Sequence, residues 1–196
     1  MCTLVTHNAP AFSAQAVMPD NSFRTISLHD FRGRYLVLFF YPLDFTFVCP
    51  SEILAFNRAV PAFKEKDAEV VGVSVDSVYT HFAWRNTPVN DGGIGQIVFP
   101  LVADLNKDIS RSYGVLHNGE VALRGLFLID REGVVRHALI NDLPLGRNVD
   151  EAIRMVDALQ HFEKHGEVCP ANWKPGEDAM KPTAAGVAAY LARHGR

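Results

Sequence analysis

Tyr35-Leu36-Val37-Leu38-Phe39-Phe40-Tyr41, then Pro42-Leu43-Asp44-Phe45-Thr46-Phe47-Val48-Cys49-Pro50, then Ser51-Glu52-Ile53-Leu54-Ala55-Phe56 is the stretch on which the fold turns. Its first part is a continuous apolar run of strand length, and its last part has the apolar spacing of a helix. A cysteine followed by proline therefore stands where a helix leaves the end of a buried strand. Unpaired backbone N–H groups and the positive end of the helix dipole favour an anionic sulfur there, and the thiolate is the nucleophilic form. Pro50 costs little at this point, because the first helical N–H has no partner inside the helix.

Outward from this stretch the chain alternates. The Cys49 helix runs to about Lys66, with a kink or break expected near Asn57–Val60 because Pro61 lies inside the pattern. Residues 68–75 read as a second buried strand, 78–86 as a short helix, and 87–96 as a Pro/Gly-rich loop. A short strand is expected at 99–102 and a helix at 107–113. Leu123–Ile129 and Val134–Ile140 read as a hairpin across Asp130-Arg131-Glu132-Gly133. Asn148 with Glu151 marks the start of another helix that ends at Gly166. Residues 1–34 read as an irregular or hairpin-forming lead-in, and 182–196 as a closing short helix. The alternating part requires parallel crossovers and the hairpin makes the sheet mixed. The expected fold is α/β and thioredoxin-like: a central mixed β-sheet flanked by helices, residues 1–166, with a C-terminal extension, residues 167–196. In such sheets ligands bind at the carboxyl ends of the strands, where Cys49 falls.

The bulk numbers exclude several function classes. The 196 residues are 48% hydrophobic and 21% charged, with a net charge of −3 and no Lys/Arg-rich run, so a nucleic-acid partner is not expected. No apolar stretch has the length of a membrane span, and the first ten residues lack a secretory pattern, so the expected location is cytoplasmic. Cys2, Cys49 and Cys169 contain no Cys-x-x-Cys, which argues against a zinc site and against a dithiol within one helical turn.

A lone cysteine is commonly just a small buried hydrophobe. The helix-mouth position of Cys49, with the Thr46 hydroxyl three residues before it, points to a nucleophile instead. No histidine lies near it in sequence; His29 and His81, the nearest, have no recognisable spacing. Arg124, on the strand at 122–129, is the alternative activator. A guanidinium there either sits at a sheet edge in water or meets an anion, because burying it alone is costly. It can stabilise an anionic sulfur but cannot act as a base, which favours a reaction whose leaving group is itself an oxygen anion. Val168-Cys169-Pro170 echoes Val48-Cys49-Pro50 in a flexible setting, either as a plain surface thiol or as a partner for an oxidised Cys49. Cys2 reads as a bystander. Gly92-Gly93-Ile94-Gly95 lacks the Lys-Ser/Thr of a phosphate loop. His161 and His165, four apart on one helix, lack a third ligand and read as a solvated face. Trp84 reads as core or as a wall of the Cys49 site.

Taken together, Tyr41-Pro42-Leu43-Asp44-Phe45-Thr46-Phe47-Val48-Cys49-Pro50-Ser51-Glu52, Trp84 after Thr80-His81, Arg124 in Leu-Arg-Gly-Leu-Phe, Arg147 in Leu-Gly-Arg-Asn-Val-Asp-Glu, and Glu167-Val168-Cys169-Pro170-Ala171-Asn172-Trp173 resemble the typical 2-Cys peroxiredoxins of the alkyl hydroperoxide reductase C/thiol-specific antioxidant family. The resemblance covers essentially the whole chain from about residue 8. It implies that Cys49 is the peroxidatic thiolate, which attacks H2O2 or an alkyl hydroperoxide and becomes a sulfenic acid. It implies that Thr46 hydrogen-bonds the sulfur and the peroxide, that Arg124 stabilises the developing charge, and that Pro42 shields the sulfur from water. Glu52, Tyr41, Arg147 and Trp84 resemble supporting groups. Cys169 of a partner subunit would resolve the sulfenic acid as an intersubunit disulfide once the first turn of the Cys49 helix unwinds. A thioredoxin-like or flavoprotein dithiol would regenerate the enzyme. The resemblance further implies a homodimer, a pentamer of dimers, and no cofactor or metal. Two departures stand out: Ile94 in the family's Gly-Gly-Leu-Gly loop, and Tyr190-Leu191 where members sensitive to over-oxidation have Tyr-Phe. The second predicts intermediate sensitivity. Two rival readings are a thiol–disulfide sensor acting on proteins, disfavoured by the missing Cys-x-x-Cys, and a holdase chaperone when over-oxidised.

Overall fold

The computed structural model describes residues 3–195; Cys2 lies outside the described residues. These fall into two compact units that divide between Val149 and Asp150.

The first unit is built on a seven-stranded sheet. Its strands are β1 (Ser13–Val17), β2 (Phe23–Ser27), β3 (Tyr35–Phe40), β4 (Ala68–Ser74), β5 (Leu101–Ala103), β8 (Arg124–Ile129) and β9 (Val135–Asn141), in the spatial order β2-β1-β5-β4-β3-β8-β9. A separate two-stranded ribbon pairs β6 (Leu116–His117) with β7 (Val121–Ala122). β3, β4 and β5 run parallel, while β8 lies antiparallel to both β3 and β9, so the sheet is mixed and flanked by helices as expected. All six residues of β3 are buried. A strand covered on both faces reads as an unbroken apolar run, which is why Tyr35–Phe40 could be recognised without alternation. At Gly72 in β4, an added Cβ would stand 2.8 Å from Leu101 and 3.0 Å from Phe39, so the close approach of β5 requires glycine.

Three helices join these strands: α1 (Cys49–Lys64), α2 (Val78–Asn86) and α3 (Asp108–Ser112). α1 buries Cys49, Glu52, Ile53, Phe56, Val60 and Phe63, a stripe at helical spacing. Phe56 stacks on Phe39 with ring centroids 4.3 Å apart and planes 10° from parallel, which ties α1 to β3. Truncating such a buried ring costs about 3–5 kcal/mol. The break expected at Asn57–Val60 does not occur: α1 is continuous through Pro61. Pro61 lies in the last turn, so few residues remain to be displaced by its ring, and its carbonyl still accepts from Glu65 N at 3.0 Å. The lead-in forms the β1–β2 hairpin, and the short strand expected at 99–102 lies at Leu101–Ala103. The β6–β7 ribbon was not anticipated; two-residue strands carry too little periodicity to read. In the β8–β9 turn, the Asp130 carboxylate accepts from the backbone N–H groups of Glu132 and Val134, and Gly133 takes φ +82°.

The second unit holds most of α4 (Val149–His165) and α5 (Ala184–His194). Between them Val168 and Met180 pair as an antiparallel bridge, and the Trp173 ring packs 4.9 Å from His161. α5 is capped by Thr183, whose hydroxyl accepts from Gly186 N at 3.1 Å. No helix among the described residues is long and apolar enough to cross a membrane.

Candidate active site

The segment between β3 and α1 turns through Phe45, which holds φ +52°, a conformation that bulky residues rarely adopt. α1 then starts without a side-chain cap: Val48 is the N-cap, already helical, and carries no hydroxyl or carboxyl to satisfy the first turn. Cys49, fully buried, is the first helical residue.

Two donors meet its sulfur. Thr46 Oγ1 lies 2.9 Å from Cys49 Sγ and also 2.9 Å from the Leu43 carbonyl, with a single proton to give. Arg124 Nη1 donates to the sulfur at 3.4 Å. Arg124 comes from the start of β8, 75 residues away in sequence, and is only 3% exposed, so the surface alternative for this residue is excluded. Its Nε donates to Leu143 O at 2.6 Å and its Nη1 to Glu52 Oε2 at 2.6 Å. Glu52 sits one turn after Cys49 on α1 and is itself buried. Its other partner is Arg147, which donates through Nε to Oε1 at 2.7 Å and through Nη2 to Oε2 at 2.9 Å. Arg147 also fixes the backbone, donating to Phe40 O at 2.7 Å and Gly125 O at 2.6 Å. Burial pulls its guanidinium below the ordinary value, and the Glu52 hydrogen bonds oppose that shift.

One carboxylate therefore serves two guanidinium groups, and the cationic surplus faces the sulfur. A positive site that offers donors and no base stabilises charge on sulfur and on a departing oxygen without moving a proton. Beside it opens a pocket of about 460 Å³ lined by Pro42, Thr46 and Arg124 together with the apolar Phe47, Val48, Leu143 and Pro144. Phe47 is 97% exposed, so the rim is apolar and unpartnered within the chain.

The remaining candidates lie elsewhere. The Tyr41 hydroxyl goes to Asp44 at 2.8 Å; burial, with the Asp44 charge adding to it, holds that phenol well above its ordinary value. Trp84 is buried, 5.8 Å from Phe45 and 6.1 Å from Tyr41 by ring centroids, and its indole donates to Gly92 O at 2.9 Å. It is both core and a wall behind the Phe45 turn, and the glycine-rich loop serves to hold it. Cys169 is a free thiol in the second unit, its sulfur donating to Ala158 O at 3.6 Å. Burial pushes that thiol above its ordinary value, against the attraction of Arg154. The His161 and His165 rings lie 4.7 Å apart, tilted by 39°, and His161 Nε2 lies 3.3 Å from Glu167. Sequence reasoning missed Leu143 and Pro144, which reach the pocket from the loop after β9, and the Asp44–His81 contact behind it. No local pattern marks either.

Comparisons with known proteins place the chain in a family. The profile of the AhpC/TSA family matches residues 5–138, and that of the C-terminal domain of 1-Cys peroxiredoxin matches residues 158–193. Peroxiredoxin-2 of Mus musculus is 55% identical over 188 residues, covering 95% of this chain and 94% of the relative. Alkyl hydroperoxide reductase C of Helicobacter pylori is 58% identical over 193 residues, covering 96% of both. The crystal structure of the reduced 2-Cys peroxiredoxin of Plasmodium vivax superposes with a TM-score of 0.96 at 53% identity, over 97% of this chain and 100% of that one.

Proposed function

The chain belongs to the AhpC/TSA family, is a 2-Cys peroxiredoxin and acts as a thiol-dependent peroxidase, and on that premise we propose that Cys49 is the sulfur that peroxide oxidises. The observation that carries this reading is the pair of donors on Cys49 Sγ, Thr46 at 2.9 Å and Arg124 at 3.4 Å, with no base between them. The Cys49 thiolate attacks the terminal oxygen of ROOH. The S–O bond forms as the O–O bond breaks, sulfur loses two electrons, and RO⁻ leaves to take a proton from solvent. Thr46 and Arg124 hold the charge as it moves from sulfur to the departing oxygen. Pro42 shields the sulfur, while Glu52 and Arg147 fix the angle of Arg124. The apolar rim of Phe47, Val48, Leu143 and Pro144 suits an alkyl chain as well as H2O2.

The sulfenic acid then condenses with Cys169 of a second subunit, forming S–S and releasing water. A dithiol of the thioredoxin or flavoprotein type reduces the disulfide. Two surfaces support assembly of identical copies. β9 ends the sheet: Thr6 and His7 pair with Val135 at its start, beyond which its outer side has no neighbouring strand among the described residues, and its Ile140 is 47% exposed; antiparallel addition of a second β9 would extend the sheet and cover it. Phe23, Tyr79 and Phe82 form an exposed aromatic patch with ring centroids 5.6 Å apart, an area suited to joining dimers into a pentamer of dimers. The free thiols of Cys49 and Cys169 suit the reducing cytoplasm.

Non-reducing electrophoresis of peroxide-treated protein tests the central step. A covalent dimer that disappears in Cys49→Ser and in Cys169→Ser is expected, and a disulfide confined to one chain defeats the intersubunit reading.

A further inference from the structure

The fully enclosed pair of Asp44 and His81 is left unused by the peroxidase chemistry above. His81 lies on α2, and its Nδ1 is 2.7 Å from Asp44 Oδ2, with neither side chain exposed. Its other nitrogen, Nε2, lies 3.2 Å from the carbonyl oxygen of Val102 on β5. A carbonyl can only accept, so Nε2 carries a proton. Between Nδ1 and the carboxyl, two lone pairs would face each other at 2.7 Å unless a second proton sits there. The geometry thus demands a bridging proton, whichever of the two groups formally owns it.

Asp44 is anchored on two further sides. Its second oxygen accepts from Tyr41 at 2.8 Å, and its backbone N–H donates to Asp76 Oδ2 at 2.9 Å. Asp76 in turn accepts from the Ser74 hydroxyl at 2.7 Å. These are the titratable groups facing the bridge: Tyr41 from the end of β3, Asp76 from the loop after β4, and Asp44 and His81 themselves. Arg85, one turn further along α2, points to Asn21 and Pro19 instead.

Asp44 is flanked by Leu43, whose carbonyl accepts from Thr46, and by Phe45 with its left-handed backbone. Whatever fixes Asp44 therefore fixes the turn that aims the Thr46 hydroxyl at Cys49. We propose that His81 is a positioning residue for peroxide reduction: through the proton it shares with Asp44, it locks the turn that presents Thr46 to the peroxidatic sulfur. This rests on the assignment of Cys49 as that sulfur. The lock holds a buried acid between a phenol and an imidazole, and it costs the protein little while the bridge proton stays, because every polar atom then has a partner.

Two substitutions separate positioning from packing. In His81→Asn the amide nitrogen takes the place of Nδ1 and keeps the bond to Asp44. In His81→Gln it takes the place of Nε2, keeps the bond to Val102 and abandons Asp44. The second-order rate of Cys49 oxidation by H2O2, followed by rapid mixing, is expected to fall about tenfold in H81Q and to be largely retained in H81N. Equal losses in both, or no loss in folded H81Q, would overturn the proposal. Wild-type protein labelled with 15N-histidine supplies a measurement that needs no variant. A far-downfield proton coupled to His81 Nδ1 is expected. Absence of the signal defeats the proposal. The wild-type control keeps the questions apart: if wild-type Cys49 is not oxidised by H2O2, it is the assignment of Cys49, and not the role of His81, that falls.

Discussion

Glu52 braces Arg124 beside Cys49: the guanidinium donates to that carboxylate at 2.6 Å, and both side chains are buried. Glu52 holds Arg147 as well, so one carboxylate lies between two buried cations. Glu52→Gln is expected to lower stability by about 3–5 kcal/mol, the cost of breaking a buried ion pair from one side. Denaturant midpoints measure it. The oxidation rate of Cys49 should fall with it, because Arg124 loses the contact that sets its angle. A variant as stable as wild type would mean that the two arginines are satisfied without Glu52.

Thr46 and Cys49 are joined through one proton. Thr46→Val keeps the shape and removes the donor, so the peroxide rate constant is expected to drop by roughly a hundred- to a thousandfold, the range seen for losing one donor to a developing oxyanion. Thr46→Ser, which retains the hydroxyl, should keep most of the rate. Stopped-flow oxidation compares the three proteins, and equal rates for valine and serine would remove Thr46 from the mechanism.

The resolving step has its own pH dependence. Burial raises the Cys169 thiol above its ordinary value, so little thiolate is present at neutral pH, and disulfide formation should accelerate as pH rises through that raised value. Arg154 attracts the thiolate and Glu167 repels it. Arg154→Met should therefore slow resolution and Glu167→Gln should speed it. Quench-flow measurement of the intersubunit disulfide, after a saturating pulse of peroxide, reads both. Changes of the same sign in the two variants would contradict the electrostatic account.

Asp178 clasps the end of α5, accepting from Arg193 at 2.8 Å and from His194 at 2.9 Å. The His194 hydrogen bond first and the Arg193 charge second hold this carboxyl below its ordinary value. The clasp is complete above the ordinary carboxylate range and is lost as pH falls through the lowered value. Amide exchange at residues 191–195 should rise there, and in Asp178→Asn at neutral pH. From the Tyr190-Leu191 pair of α5, wild type should show intermediate over-oxidation of Cys49 to sulfinic acid. Mass spectrometry after graded peroxide decides it; inactivation of wild type by near-stoichiometric peroxide would contradict the intermediate reading.

What could be read from the sequence was what is local. Tyr35–Phe40 announces a doubly covered strand because it is apolar without a break, and Cys49-Pro50 announces a helix start because proline fits only there. The hairpin at Asp130–Gly133 was legible from its turn residues. What could not be read was partnership across the sheet. Nothing near Arg124 says that its guanidinium meets a carboxylate 72 residues earlier, and a surface arginine would leave the same trace. Leu143 and Pro144 enter the pocket because β9 runs antiparallel to β8 and returns its end beside Arg124. His81 lacked any spacing to Cys49 because its link runs through Asp44 and a turn, not along one helix face. Of the kink or break expected from Pro61, the break does not occur, because α1 continues through it to Lys64.

The missing cap at Val48 bears on timing. A side-chain cap contributes about 1 kcal/mol, so a helix start without one opens about fivefold more often than a capped one. On the proposed mechanism an oxidised Cys49 stands at a fork: a second peroxide molecule can convert it to a dead end, or its turn can open and let a thiol in. The frequency of that opening is a clock, and the uncapped start at Val48 helps to set it. Placing Ser or Asn at position 48 would slow the clock, and the dose of peroxide the molecule survives would fall accordingly.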